Sequence, residues 1–344
     1  MILMEFDLAG AEWFVVAHLC QDENMLDVFR SGRSPHVRTG SLISGADEDF
    51  VLQENELVGS QTDATTIQLL RGKLKIPPGI FLPRVMSIRQ AGKKSNHGLN
   101  YNMKYRRFAL ENEMLEEDAK PIVEAYSTKA YPGIQNYWAD IRRELKENKR
   151  CLVNCFGRKV HLRDEWGETL FNQAYSFKPQ STVVDIVNRA MRLAFQDNSP
   201  AFSKMFLGAQ VHDSLQIQSP VPGDIDDWYL LAEMVFMIKE KYMRPELEYH
   251  GVKFQLECDV KMGLSWGDMR KIKVPDIEDV VGILKRTYGA LLEEAAAASG
   301  DRPETAAAPE AEVVYLSEAR KVPDPQTVEV AARGQGGWAL GRGS

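Results

Sequence analysis

Met1 to Phe6 form a short, mainly apolar run that stops abruptly at Asp7, the pattern of a buried strand delivering a carboxylate at its C-terminal end. Leu8-Ala9-Gly10 is small and tight. Apolar positions at Trp13, Val16, Ala17, Leu19 and Cys20 then predict a helix from about Ala11 to Phe29, closed by Ser31-Gly32. Residues 39–83 hold no sustained period: Gly, Ser and acids come first, then Pro77-Pro78-Gly79 and Pro83, so the stretch reads as irregular. Helical spacing returns at about Arg84–His97, Lys104–Tyr131 and Gly133–Asn148, with Tyr131-Pro132-Gly133 turning between the last two. Cys151–Leu162 reads as a hairpin bending at Gly157-Arg158, and Gln180–Gln196 as another amphipathic helix. Leu215-Gln216-Ile217-Gln218 alternates as a half-buried strand should, and a second strand before His212 puts Asp213 at a hairpin tip. A helix over about Asp224–Tyr242 and a strand over Val252–Val260 close the ordered body. From about Ala295 the chain is rich in Ala, Pro, Glu and Gly and reads as a disordered tail.

Composition sharpens this picture only locally. At 344 residues the chain has room for a sizeable core and two domains, and 44% hydrophobic with 26% charged residues is ordinary for a globular protein. The formal charge of −7 is uneven: residues 275–344 hold 12 acids and 7 bases, leaving 37 and 35 in the rest. A near-neutral body neither announces nor excludes nucleic acid, so local basic strips matter more. The four cysteines have no metal-ligand spacing and read as reduced core thiols in a cytosolic setting. Glu5, Asp7 and Glu12 interrupt the apolar start, which has no basic leader, so neither a signal peptide nor a membrane span is expected. Asp47-Glu48-Asp49 reads as a solvated loop rather than a metal site, because nothing positions those carboxylates.

Chemistry enters with Arg89, Lys93, His97 and Tyr101, which recur every four residues and would share one helical face. Two permanent cations followed by two rings suit a ligand with a polyphosphate at one end and a flat base and sugar at the other. A solvated basic helix has the same spacing, and Asp7 alone would serve equally well as a helix N-cap. Yet Asp7 and Asp213, 206 positions apart and both strand-borne, frame that helix in sequence. Phosphoryl transfer calls for such a set: two carboxylates bridging divalent ions, with fixed positive charge on the departing phosphates.

The arrangement resembles the family A DNA polymerases, the class of bacterial DNA polymerase I and many phage replicases. Phe6–Glu12 (F-D-L-A-G-A-E) is similar to that family's first motif. The R-x3-K-x7-Y spacing of Arg89, Lys93 and Tyr101, with N-x-G-L-x-Y at Asn96–Tyr101, resembles its nucleotide-binding helix, and Val211-His212-Asp213 its third motif. Tyr131–Gly133, Gly157-Arg158, the Gln180 segment and Val260–Trp266 follow in family order, so the likeness covers about residues 5–269. It implies an α+β fold with an antiparallel β palm (1–35 and 176–274), mostly helical fingers (36–175) with an insertion at about 39–83, and a helical, then disordered, tail (275–344). It implies Asp7, Asp213 and the Leu8 carbonyl as ligands for two Mg²⁺, or Mn²⁺. Arg89, Lys93, His97 and His36 would meet the deoxynucleoside triphosphate. Tyr101, hydrogen-bonded to Glu12, would leave no room for a 2′-hydroxyl. Gln180, His212 and Arg158 would meet the primer-template DNA, partly through the minor groove, whose acceptors are shared by all base pairs.

Several positions depart from the family. His97 stands where Phe or Tyr is usual, and is expected to add a titratable contact near the phosphates. Ser214 follows Asp213 where Glu is usual; H-D-S is typical of single-subunit RNA polymerases, the main rival, against which Glu12 argues. An inactive DNA-binding remnant is the non-enzyme alternative, opposed by the intact Asp7, Asp213, Arg89, Lys93 and Tyr101. The 39–83 insertion is expected to meet a partner or DNA. The first motif starts at residue 7, with no thumb or exonuclease domain before it. The expectation is therefore a split, phage-type enzyme acting in the cytoplasm, whose missing half is a second chain docking on an open sheet edge beside Met1–Phe6.

Overall fold

The computed structural model describes residues 1–299, with side chains to 297. The first half runs β1 (Ile2–Leu8), α1 (Ala11–Cys20), α2 (Glu23–Ser31), α3 (Pro35–Ser44), α4 (Glu48–Val58), α5 (Ala64–Arg71), α6 (Ile88–Gly98), α7 (Tyr105–Glu111), α8 (Glu116–Ala125) and α9 (Ile134–Glu147). Then come β2 (Cys151–Val153), β3 (Lys159–His161), α10 (Glu168–Gln196), β4 (Phe206–Val211), β5 (Ser214–Ser219) and α11 (Ile225–Met237). The chain continues through β6 (Leu247–Tyr249), β7 (Val252–Phe254), β8 (Cys258–Gly263), β9 (Arg270–Ile272) and α12 (Ile277–Ser299). Residues 1–294 form one compact unit.

Strict alternation builds the central sheet. Ile2, Met4, Phe6 and Leu8 of β1 are fully buried on one face, and Leu3, Glu5 and Asp7 lie on the other. The buried face joins one core with Trp13 and Val16 of α1, Ile186 and Val187 of α10, and Leu231 and Val235 of α11. The five strands run antiparallel in the order β4-β5-β1-β8-β9. This overturns one expectation. β1 has no open edge, because β5 and β8 pair with it on either side; the sheet edges are β4 and β9.

The helix expected over Ala11–Phe29 is two helices. Gln21 turns left-handed at φ 51, and Asp22 caps α2 by accepting from the Asn24 and Met25 amides. The same carboxylate accepts the Gly133 amide at 2.8 Å, which docks the Tyr131-Pro132-Gly133 turn on this break. The strand expected over Val252–Val260 is also divided, into β7 of a small hairpin and β8 of the main sheet.

Residues 39–83 are not irregular. They complete α3 and form α4 and α5, whose N-termini are capped by Asp47 and Asp63. Their polar-looking pattern hides a buried ion pair. Arg71 Nε donates to Glu54 Oε1 at 2.9 Å, and its Nη atoms donate to the carbonyls of Pro83 and Met86. The other Glu54 oxygen accepts the Ile88 amide at 2.9 Å, at the first turn of α6. Every polar end of the pair is thus used, as a buried charge requires.

α3 and α6 cross closely because both carry glycine at the contact. A Cβ on Gly92 would fall 2.3 Å from the His36 carbonyl oxygen, and one on Gly40 would fall 2.8 Å from that of Ile88. α12 packs Val280, Val281 and Leu284 into the body and sets Tyr288 against Trp228 of α11, with ring centroids 5.9 Å apart and planes tilted by 58°. Of the tail expected from Ala295, residues 295–299 continue this helix, and residues 300–344 lie outside the described residues.

Candidate active site

The sheet brings the two distant aspartates together. β1 pairs Asp7 with Ser214, and the Leu8 amide donates to the Asp213 carbonyl at 3.2 Å, so the end of β1 abuts the β4–β5 turn. That turn has two residues, His212 and Asp213, with His212 at φ 53, a conformation non-glycine residues seldom adopt. The buried Ser214 hydroxyl donates back to the Val211 carbonyl at 3.0 Å and closes the loop. Ser214, the departure at this motif, therefore holds the turn that carries Asp213.

Burial and the Asp213 carboxylate push the Asp7 carboxyl up to about 6, with Lys261 opposing and Glu5 and Asp259 adding to the rise. A partly buried carboxylate beside a second one favours a nearby cation. Their all-oxygen character, with the Leu8 carbonyl beside them, fits a hard divalent ion such as Mg²⁺. Among the described residues no cluster of three or more His, Cys, Asp or Glu side chains forms a metal site, so a carboxylate pair is the candidate.

α6 supplies the cationic face. His36, at the start of α3, feels His97, Arg89 and Lys93 across the glycine crossing. Burial first, and then those three, hold its imidazole down at about 4. The His36 and His97 ring centroids are 6.1 Å apart. The Asn96 amide, which sequence reasoning passed over except as a motif letter, lies 3.2 Å from His36 Nδ1 and 2.8 Å from the Thr39 hydroxyl. It fixes the ring from behind. Asn96 is buried and lies three residues after Lys93, on the neighbouring strip of the same helical face, so both reach the His36 ring.

The expected Tyr101–Glu12 bond is present: α6 ends at Gly98, and from the 3-10 turn Leu99–Tyr101 that follows it Tyr101 Oη donates to Glu12 Oε2 of α1 at 2.6 Å. Burial, then the Glu12 charge, drive the Tyr101 phenol far above its ordinary range, so it stays a donor. His97 and Tyr101 also line a cleft of about 560 Å³ with Lys104, Arg107, Asn172 and Gln180. Gln180 thus faces the same space from α10. Arg158 does not line it. Its guanidinium grips Asp185 of α10, with Nε 2.9 Å from Oδ1, and lines a separate shallow depression with Arg189 and Arg192. Also missed in the sequence were Glu5, Asp259 and Lys261, which flank Asp7 only through strand register.

Residues 85–268, more than half of the chain, match the model of DNA polymerase family A. The chain belongs to that family. Family A relatives include the thermostable DNA polymerase I of Thermus caldophilus, 25% identical over 272 residues, covering 77% of this chain and 27% of that protein. DNA polymerase I of Deinococcus radiodurans is 25% identical over 276 residues, covering 78% of this chain and 24% of the relative. The chain thus spans about a quarter of the length of these family A proteins. In fold it is similar to the POL domain of Pol1 from M. smegmatis, solved in complex with DNA primer-template and dNTP. The TM-score is 0.55 at 20% identity, over 77% of this chain and 40% of that one. The α+β fold matches the family A polymerase domain accordingly. No helix among the described residues is long and apolar enough to cross a membrane, and the four cysteines are free.

Proposed function

We propose that this chain is the palm and fingers part of a template-directed DNA polymerase. It would add deoxynucleotides to a primer 3′-hydroxyl. The observation that carries the reading is the coupling of Asp7 to Asp213 at the end of β1, with Tyr101 tied to Glu12 one turn further along the chain. In this reading Asp7, Asp213 and the Leu8 carbonyl hold two Mg²⁺ ions. When bound, these lower the pKa of the attacking hydroxyl and neutralise the leaving pyrophosphate. Arg89 and Lys93 neutralise the triphosphate, and His36, neutral at working pH, donates a hydrogen bond to it rather than charge. Glu12 and Tyr101 close the space a ribose 2′-hydroxyl would fill, which supports deoxynucleotides over ribonucleotides. His97 packs beside the incoming sugar, and Gln180 and His212 meet the primer end. Arg158, engaged with Asp185, belongs to the template side of the β2–β3 hairpin.

The subdomains follow as palm over residues 1–35 and 176–274, fingers over 36–175 and a C-terminal segment from 275. The test is single-nucleotide incorporation on a primer-template with Mg²⁺. Asp213→Ala should lower the rate by about 1,000-fold or more, with primer-template binding retained in a fluorescence anisotropy titration. Equal rates in wild type and variant would leave a DNA-binding module instead.

A further inference from the structure

The open face of the sheet carries a second set of charges around Asp7. Register sets Glu5 opposite Lys261, Lys261 opposite Lys271, and Asp7 opposite Asp259. Lys261 Nζ donates to Glu5 Oε1 at 2.6 Å and lies 3.9 Å from Asp7 Oδ2. On the far side Lys271 Nζ donates to Asp259 Oδ2 at 2.6 Å. Glu5 and Asp259 are thus each held by a lysine, Asp213 stands at the turn beside Asp7, and Lys261 is the ammonium within 4 Å of the Asp7 carboxylate. Its strand is hydrogen-bonded on both sides, to β1 and β9, so the lysine is aimed by two ladders. Its side chain is about as exposed as that of Asp7, each near one-third, so both are open to solvent.

We propose that Lys261 is an internal counter-ion of the metal site: it neutralises the carboxylate corner in the empty protein and weakens binding of a bare divalent cation. This rests on Asp7 and Asp213 being the metal ligands. A fixed positive charge about 4 Å from one ligand oxygen repels a dication on that oxygen and already satisfies part of the carboxylate's charge. A triphosphate brings negative charge that offsets this repulsion. The metal is therefore favoured when it arrives with the nucleotide, and idle occupancy of the site is suppressed. A purely structural role, a cross-strand pair with Glu5, predicts a stability effect and no change in metal affinity.

The test is Mn²⁺ binding followed by electron paramagnetic resonance at pH 8.5, without nucleotide or DNA. Unfolding midpoints are recorded on the same samples. Lys261→Met, which keeps the length and removes the charge, should bind Mn²⁺ about five-fold more tightly, whereas Lys261→Arg should stay near wild type. Asp213→Asn should abolish the binding. Unchanged or weaker binding in Lys261→Met, with the Asp213 dependence intact, overturns the counter-ion and leaves the metal-ligand reading standing. Binding that ignores Asp213→Asn removes both.

Discussion

His36 sits where helix packing and charge act on one ring. Burial and the facing His97, Arg89 and Lys93 hold it at about 4, against about 6.5 for a histidine in an unfolded chain. Between those values the unfolded chain takes up a proton that the folded protein refuses, so stability falls as pH drops through the window. Asp7 acts in the opposite sense: raised to about 6, it contributes stability at low pH that is lost as pH rises through 6. His36→Gln, which cannot titrate, should therefore lose about 2 kcal/mol less unfolding free energy than wild type between pH 6.5 and 4. Urea unfolding at several pH values in metal-free buffer measures this, and parallel curves for the two proteins would remove the assignment. At this scale the sequence was most informative about Arg89, Lys93 and His97, which do share α6; the expected helix stops at Gly98, and Tyr101 falls in the 3-10 turn after it. The sequence was silent on Lys261, whose neighbours Glu5 and Asp7 lie more than 250 residues away and meet it only through strand register.

Among elements, the crossing of α3 and α6 decides how the cationic face is presented. Gly92→Ala would set a methyl 2.3 Å from the His36 carbonyl oxygen, a backbone atom that cannot step aside. The helices must then separate, which carries His36 away from Arg89. We expect a loss of about 2–3 kcal/mol in stability and a rise in nucleotide KM that exceeds any fall in kcat. As a contrast, Gly289→Ala in α12, where a Cβ meets nothing within 4 Å, should be neutral or stabilising by about 0.5–1 kcal/mol. Calorimetry with steady-state incorporation separates the two variants. The segment between α3 and α6 was misread because its helices are only 8 to 11 residues long and bury few apolar side chains. Its N-caps go unread: Asp47 reads as part of a solvated loop, and Asp63 draws no attention. The segment's main interior contact is hidden too, since Glu54 and Arg71 count as surface residues in any hydrophobic pattern. The break at Gln21-Asp22 escaped for a related reason: apolar periodicity runs on past a cap that only the Asp-x-x spacing announces.

For the whole molecule, the central place of β1 moves the question of a complement. A strand added to this sheet has to pair with β4 or β9, not with Met1–Phe6. The exposed Phe206 and Val211 lie on β4. A last consequence follows from the way α6 is fastened. Gly92 seats it on α3, and Glu54 holds its first turn to the α4–α5 pair, so it has no freedom of its own. Swinging Arg89 and Lys93 toward Asp7 would carry α3 to α6 together with the Tyr126–Tyr131 segment hydrogen-bonded to Thr39 and Asn96, with backbone turns available at Gly32–Ser34 and Asn102–Lys104. Gly32 and Asn102 already stand there at φ 64 and φ 61. Stiffening either turn would slow nucleotide capture without altering any side chain that meets the nucleotide.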